Sequence, residues 1–187
     1  MMNKNNNLNI CDFKVLVFDF DGVFTDNKVY VGQDGSEFVQ CSRADGLAFD
    51  LLKRYIKINN LNIEFFVLSS ESNSVVLERA KKLNIVAHTS VKNKLKFIQN
   101  YLQSKFPNTK NPFNYLVYLG NDLNDLSVMR HAGLSIAPSD SHPMVKSIAT
   151  KVYPQMGGNG FIRSFIEDFI KIDNLTEGQL DELISNC

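Results

Sequence analysis

Two carboxylates one residue apart, Asp19 and Asp21, close the apolar run Val15-Leu16-Val17-Phe18 within the segment VLVFDFDGVFTD. The run has the β-branched, aliphatic and aromatic content of a strand buried on both faces. Its carboxyl end is where parallel α/β sheets open their ligand crevices. If strand geometry persists through Phe20, alternation puts both aspartates on one face of the chain. Carboxylates that close together repel, so such a pair marks a divalent cation, a shared proton or both. Gly22 then permits a sharp exit and brings a backbone N–H close to a ligand. The bland alternative is an Asp-rich turn after a strand.

Three further segments end in polar residues after an apolar run. Ser69 and Ser70 follow Ile63–Leu68; a lone Ser there is otherwise only a turn or cap residue. Lys94 lies near a predicted helix start, with Ser90 read as the N-cap. A cation at that end opposes the helix dipole, so a role with an anion explains it better than packing does, although Lys92 and Lys96 would fit a solvated set. Gly120-Asn121-Asp122-Leu123-Asn124-Asp125 follows Tyr115–Leu119 and brings a second acidic turn to the same sheet edge. His88, His131 and His142 lack metal-ligand spacing and read as surface or cap residues.

Taken together, D-x-D-G-V-x-T-D, the Ser69 step, Lys94 and the Gly120–Asp125 turn resemble, in order, the four motifs of the haloacid dehalogenase superfamily of phosphatases. Four ordered motifs over roughly 100 residues are far more specific than any one alone. The resemblance runs from Phe13 to Asp168 and is closest to the branch acting on 3-deoxy-D-manno-octulosonate 8-phosphate or on 9-phosphates of nine-carbon sugar acids. It implies that Asp19 is a nucleophile forming an aspartyl-phosphate and that Asp21 is the general acid and base. Ser69 and Lys94 would contact the phosphoryl group. Mg²⁺ would be held by the Asp19 side chain, the Asp21 backbone carbonyl and residue 121, with Asp122 and Asp125 orienting its waters. The family pattern is G-D-D-x-x-D; here Asn121 replaces the first Asp, an amide oxygen without formal charge that should hold the ion more weakly. Gly157-Gly158-Asn159-Gly160 with Arg163 matches a Gly-rich turn of the family, where Asn159 would bond substrate; a plain loop before a helix is the alternative. For the substrate, Glu71 stands where octulosonate phosphatases carry Arg and is similar to the nine-carbon group. Glu71 suits sugar hydroxyls, while Arg79 and Lys82 would suit a carboxylate, Lys82 from a neighbouring subunit; an ordinary charged helix face is the alternative. Gly22 and Ser70 complete the expected substrate contacts.

The elements that must position these residues alternate. Strands are predicted at 14–20, 63–68, 85–88, 115–119, 133–137 and 150–153, and helices near 45–57, 73–83, 91–105, 123–130, 142–149 and 160–170. In the helix near Val91, the set Val91, Leu95, Ile98 and Leu102 forms the apolar stripe. This is the pattern of an α/β fold, a Rossmann-like parallel sheet with helices on both faces. One segment breaks it: Gly32-Gln33-Asp34-Gly35 between two short β-rich runs predicts a hairpin, about 28–40, lying over the crevice as a flap. The family resemblance implies that this hairpin assembles a homotetramer and that no large cap domain is present.

The chain has 187 residues, with 20 basic and 20 acidic side chains in balance. That argues for one domain and against a global field for nucleic acid or anionic membrane. The three cysteines, Cys11, Cys41 and Cys187, form no C-x-x-C pair and read as reduced thiols of a cytoplasmic protein. No apolar stretch approaches the roughly 20 residues of a membrane span. The expected organisation is a disordered Asn-rich arm over 1–10, a single phosphatase domain over 11–172 and a C-terminal tail over 173–187. The competing reading is a catalytically weak binding or tetramerisation module serving a sugar-acid cytidylyltransferase. A phosphoacceptor receiver domain is disfavoured, because its acceptor Asp belongs on a later strand.

Overall fold

The computed structural model describes residues 10–185. Six parallel strands form one sheet in the order β5-β4-β1-β6-β7-β8. These are β1 (Val15–Phe18), β4 (Glu64–Leu68), β5 (Val86–His88), β6 (Leu116–Leu119), β7 (Leu134–Ala137) and β8 (Lys151–Val152). β1 is fully buried between β4 and β6, pairing Val15 with both Glu64 and Leu116. The chain builds to either side of β1, so the sheet's switch point falls at its carboxyl end.

Alternation along β1 divides the core. Leu16 and Phe18 face α1 (Arg43–Ile58) and α6 (Phe161–Phe169), where Phe18 packs edge-on to Phe49 at 5.0 Å and Phe24 stacks on Phe49 at 5.4 Å. Val15 and Val17 face α3 (Lys94–Lys105), α4 (Leu126–Met129) and α5 (Pro143–Ile148). Each fully buried aromatic or aliphatic side chain contributes about 1.5–3 kcal/mol. The remaining helix of the βα units, α2 (Ser74–Leu83), buries Val76 and Ala80.

The predicted strands and helices all occur, with shorter ends except in α1, which extends beyond the predicted 45–57 at both ends. β1 stops at Phe18, short of the strand through Phe20 that alternation required. Asp19 N–H still extends the ladder to the Leu119 carbonyl, but Val23, Phe24 and Thr25 all turn back onto the Phe20 carbonyl. α3 begins at Lys94 with Asn93, not Ser90, as its cap: Asn93 accepts from Lys96 N–H, while Ser90 sits at φ 60°. Val91 therefore lies outside the helix, and the buried stripe is Lys94, Ile98 and Leu102.

The hairpin forms as β2 (Tyr30–Val31) and β3 (Glu37–Phe38), paired antiparallel. Two expectations at the ends need correction. Ile10 opens a short 3₁₀ turn and packs against the core, so the arm cannot include it; the rest of the expected arm, 1–9, lies outside the described residues. The supposed tail contains α7 (Glu177–Ile184), started by a Thr176/Gln179 capping box and fastened by buried Leu183, whose carbonyl accepts from Arg54. Among the described residues no helix is long and apolar enough to cross a membrane.

Candidate active site

A cavity of about 400 Å³ opens at the carboxyl end of β1, lined by Asp19, Asp21, Ser69, Ser70, Glu71, Asn121, Asp122 and Asn124 among others. An adjoining chamber of about 310 Å³ shares Asp21, Asn27 and Glu71 and continues under the hairpin past Glu37 and Asn73. Asn73 donates to Glu37 while capping α2 through Val75 N–H, which fastens the hairpin to the helix start. Lines that diverge in sequence by more than 50 residues thus meet because β1, β4 and β6 are neighbours.

The deepest part is a charged cluster. Lys94 Nζ lies 2.7 Å from Asp19 Oδ1 and 2.8 Å from Asp125 Oδ1, with all three residues buried. The unusual cation at the first helical position is therefore explained by two carboxylates that outweigh both burial and the dipole. Burial pulls the Lys94 ammonium down, yet Asp19 and Asp125 hold it above its ordinary pKa. Asp19 Oδ1 also accepts from Phe20 N–H at 2.8 Å. Burial, then the Asp125 charge, push Asp19 well above the usual carboxylate range against the pull of Lys94. Asp21 is half-buried and likewise raised, by burial first and then by the charge of Glu71.

Asp125 lies behind the cavity wall and does not line it. It is fully buried, accepting from Tyr118 OH, Lys94, and the N–H groups of Asn121 and Asp122, and so fixes the turn from behind. Asp122 lines the cavity and caps its own turn. Gly22 is required by Asn121: at φ 76° its position would place a Cβ 1.9 Å from the Asn121 amide nitrogen. Ser69 Oγ accepts from Glu71 N–H at 3.0 Å, and Ser70 Oγ accepts from Asn124.

Two expected substrate contacts, Arg79 and Asn159, are not brought to the cavity, whereas Lys82 is expected there only from a neighbouring subunit. Arg79 turns to the Ser42 carbonyl at 2.9 Å, bracing α1. Lys82 is exposed near the end of α2, and Asn159 is exposed in its turn. The Gly-rich turn instead packs against the Gly22 loop, where a Cβ at Gly157 would lie 2.0 Å from the Gly22 carbonyl oxygen. Sequence reasoning missed Tyr118, hidden among the apolar residues of its strand, and Asp45. Asp45 accepts from Arg163 N–H at 2.9 Å and from Gly160 N–H, supplying the side-chain cap that Gly160 lacks. His142 does cap a helix, α5.

The cavity suits a hard divalent cation. Asn121 Oδ1 is buried without a hydrogen-bond partner, a position costing about 1–3 kcal/mol unless something fills it. Among the described residues no three His, Cys, Asp or Glu side chains converge tightly enough to hold a metal by themselves. A cation here would draw on the Asn121 amide together with Asp19.

A parallel sheet with its switch point at an acidic crevice, and a buried lysine joined to the leading aspartate, define an α/β protein with a site suited to phosphoryl chemistry. No protein-family model matches the chain. Similarity to known proteins is nevertheless end to end. The chain is 29% identical over 172 residues to the 3-deoxy-D-manno-octulosonate 8-phosphate phosphatase KdsC of Salmonella typhi, covering 91% of this chain and 84% of that one. A HAD family hydrolase from Streptomyces avermitilis superposes with a TM-score of 0.78 at 30% identity, over 92% of this chain and 94% of the other. The 3-deoxy-D-manno-octulosonate 8-phosphate phosphatase of Moraxella catarrhalis, solved with magnesium, phosphate and KDO, shares the fold with a TM-score of 0.77 at 24% identity, over 94% of each chain. The chain belongs to the haloacid dehalogenase (HAD) family of hydrolases.

Proposed function

We propose that this phosphatase hydrolyses the phosphate monoester of a sugar acid, with 3-deoxy-D-manno-octulosonate 8-phosphate as the first substrate to test, in a Mg²⁺-dependent reaction through Asp19. The observation that carries the reading is the Lys94 bridge, which buries a cation against Asp19 at the floor of a polar cavity. Similarity over 91% of the chain to an octulosonate phosphatase supports the substrate, and magnesium in the Moraxella relative supports the ion. When bound, the cation would screen phosphate charge that otherwise repels a carboxylate nucleophile.

The residues divide the work as follows. Lys94 and Phe20 N–H hold Asp19 Oδ1, leaving Oδ2 to attack phosphorus in line as the sugar oxygen departs. Asp21, kept protonated to higher pH by burial and by Glu71, gives its proton to that oxygen. It then takes a proton from the water that splits the aspartyl-phosphate, releasing inorganic phosphate and restoring Asp19. Ser69 Oγ, engaged as an acceptor by Glu71 N–H, keeps its own O–H for a phosphoryl oxygen. The chamber under the hairpin, lined by Asp21, Glu37, Glu71 and Asn73, receives the leaving sugar.

Glu71 favours a second reading, a nonulosonate 9-phosphate, because it faces both cavities and a carboxylate accepts from polyol hydroxyls. The test is phosphate release by the purified protein with Mg²⁺ from a panel holding the octulosonate 8-phosphate, nine-carbon 9-phosphates and simple hexose phosphates. The octulosonate ester should show the highest kcat/KM. A higher value for a nine-carbon ester would select the second reading. No release from any ester would reject both and favour a binding module.

We further propose a homotetramer assembled through the hairpin, whose Val29, Tyr30, Val31 and Phe38 are at least half exposed, and a cytoplasmic setting in keeping with the free Cys41 thiol.

A further inference from the structure

Tyr118 lies on the central strand β6 with its side chain wholly buried, packed in the same face as Val15, Val17 and Leu116. Its hydroxyl donates to Asp125 Oδ1 at 2.7 Å, the oxygen that also accepts Lys94 Nζ at 2.8 Å. The other oxygen accepts from Asn121 N–H at 2.9 Å and Asp122 N–H at 3.3 Å. An ionised carboxylate offers about four acceptor sites, so Asp125 is saturated and cannot rotate without breaking a bond. We infer that Tyr118 is a positioning residue whose hydroxyl fixes Asp125 so that Lys94 stays shared with Asp19.

The argument is one of competition. Lys94 lies between two buried carboxylates at nearly equal distances, 2.7 and 2.8 Å. How strongly it holds Asp19 depends on how strongly Asp125 holds it. The phenol draws charge from the same Asp125 oxygen and pins its direction. Burial, then the charges of Asp125 and Asp19, keep that phenol protonated, so it remains a donor. Without the hydroxyl, Asp125 Oδ1 is a stronger and freer acceptor; it draws Lys94 away and leaves Asp19 loosely held. A phenylalanine ring would fill the core as well, so packing alone gives no reason for the oxygen.

The catalytic part of this inference rests on the phosphatase reading; the coupling part does not. With saturating Mg²⁺ and substrate, Tyr118→Phe should lower kcat on the order of tenfold while KM stays within about twofold. Tyr153→Phe is the control, since it removes a hydroxyl bonded to Asp168 that lines neither cavity; its kcat should not change. Urea unfolding of the metal-free protein supplies an activity-free measurement. The effects of Tyr118→Phe and Asp19→Asn on the unfolding constant should depart from multiplication by about threefold or more, because Lys94 and Asp125 connect them. An unchanged kcat in Tyr118→Phe, or multiplicative unfolding effects, would overturn the inference and leave the hydroxyl as a satisfied core group. If the wild-type chain releases no phosphate from any ester, the phosphatase reading fails and the unfolding cycle alone decides the role of Tyr118.

Discussion

Asn121 turns its side chain toward the Asp19 cavity with an unpartnered buried oxygen, and in the proposed metal site its lack of charge would weaken the hold on a cation. Replacing it by Asp adds one negative charge to the proposed metal shell. Asn121→Asp should lower the Mg²⁺ concentration for half-maximal rate roughly three- to tenfold; a Mg²⁺ titration of both proteins reads this, and identical curves would show that residue 121 is not a ligand. Glu71 acts on the same site through its field. Burial first and Glu71 second raise the Asp21 pKa, so removing the Glu71 charge must lower it. Glu71→Gln should therefore move the high-pH limb of kcat/KM, where Asp21 loses the proton it gives to the leaving oxygen, toward lower pH. A limb that stays in place would remove Asp21 as the acid or Glu71 as its neighbour.

At the scale of elements, the acidic turn is capped locally by Asp122 and Asp125, and the Gly-rich turn by a residue from far along the chain. Asp45, in the first turn of α1, accepts the N–H groups of Arg163 and Gly160 at the start of α6, and the turn before α6 backs the Gly22 loop. Asp45→Ala should cost about 1–2 kcal/mol and lower Tm by about 2–8 °C. Asp45→Asn, which keeps the accepting oxygen, should recover most of that loss in a thermal melt. The difference between Asp45 and Asp19 also shows what was legible in the sequence. Each strand of the sheet announced itself as a short apolar run, and Asp19, Asp21, Ser69 and Asn121 could be found because each sits just after one. Asp45 and Tyr118 could not: the Arg163 partner of Asp45 lies 118 residues away, and Tyr118 itself sits inside an apolar strand, where periodicity reports only burial. In the sequence Arg79 reads as a substrate contact or as part of a solvated helix face; in the fold it donates to the Ser42 carbonyl, 37 residues away, a partner no local pattern shows. The Ser90 cap failed because Asn93, nearer to the helix, competes for the same N–H groups. The C-terminal helix was missed although Thr176 and Gln179 spell a capping box, a local signal with a short apolar face.

For the whole molecule, equal numbers of basic and acidic residues leave no net charge, so in the proposed reaction phosphate recognition would fall to Lys94 and the polar cavity. The hairpin is the conspicuous exposed apolar feature, with Tyr30 and Val31 about two-thirds exposed and Phe38 close behind. Tetramer assembly would cover them and could bring Lys82 of a neighbouring copy toward the chamber. Val31→Asp combined with Phe38→Asp should convert the assembly to smaller species in light scattering, with the circular dichroism spectrum unchanged; a wild-type chain that is itself monomeric would contradict the hairpin interface.

The most direct test of the whole account is phosphate release from 3-deoxy-D-manno-octulosonate 8-phosphate with Mg²⁺ by the wild-type protein and by Asp19→Asn, with the fold of both checked by circular dichroism. An amide cannot replace the attacking carboxylate, so the account predicts steady turnover by the wild type and a loss exceeding about a thousandfold in the variant. Comparable release by a folded Asp19→Asn protein would contradict covalent catalysis through Asp19.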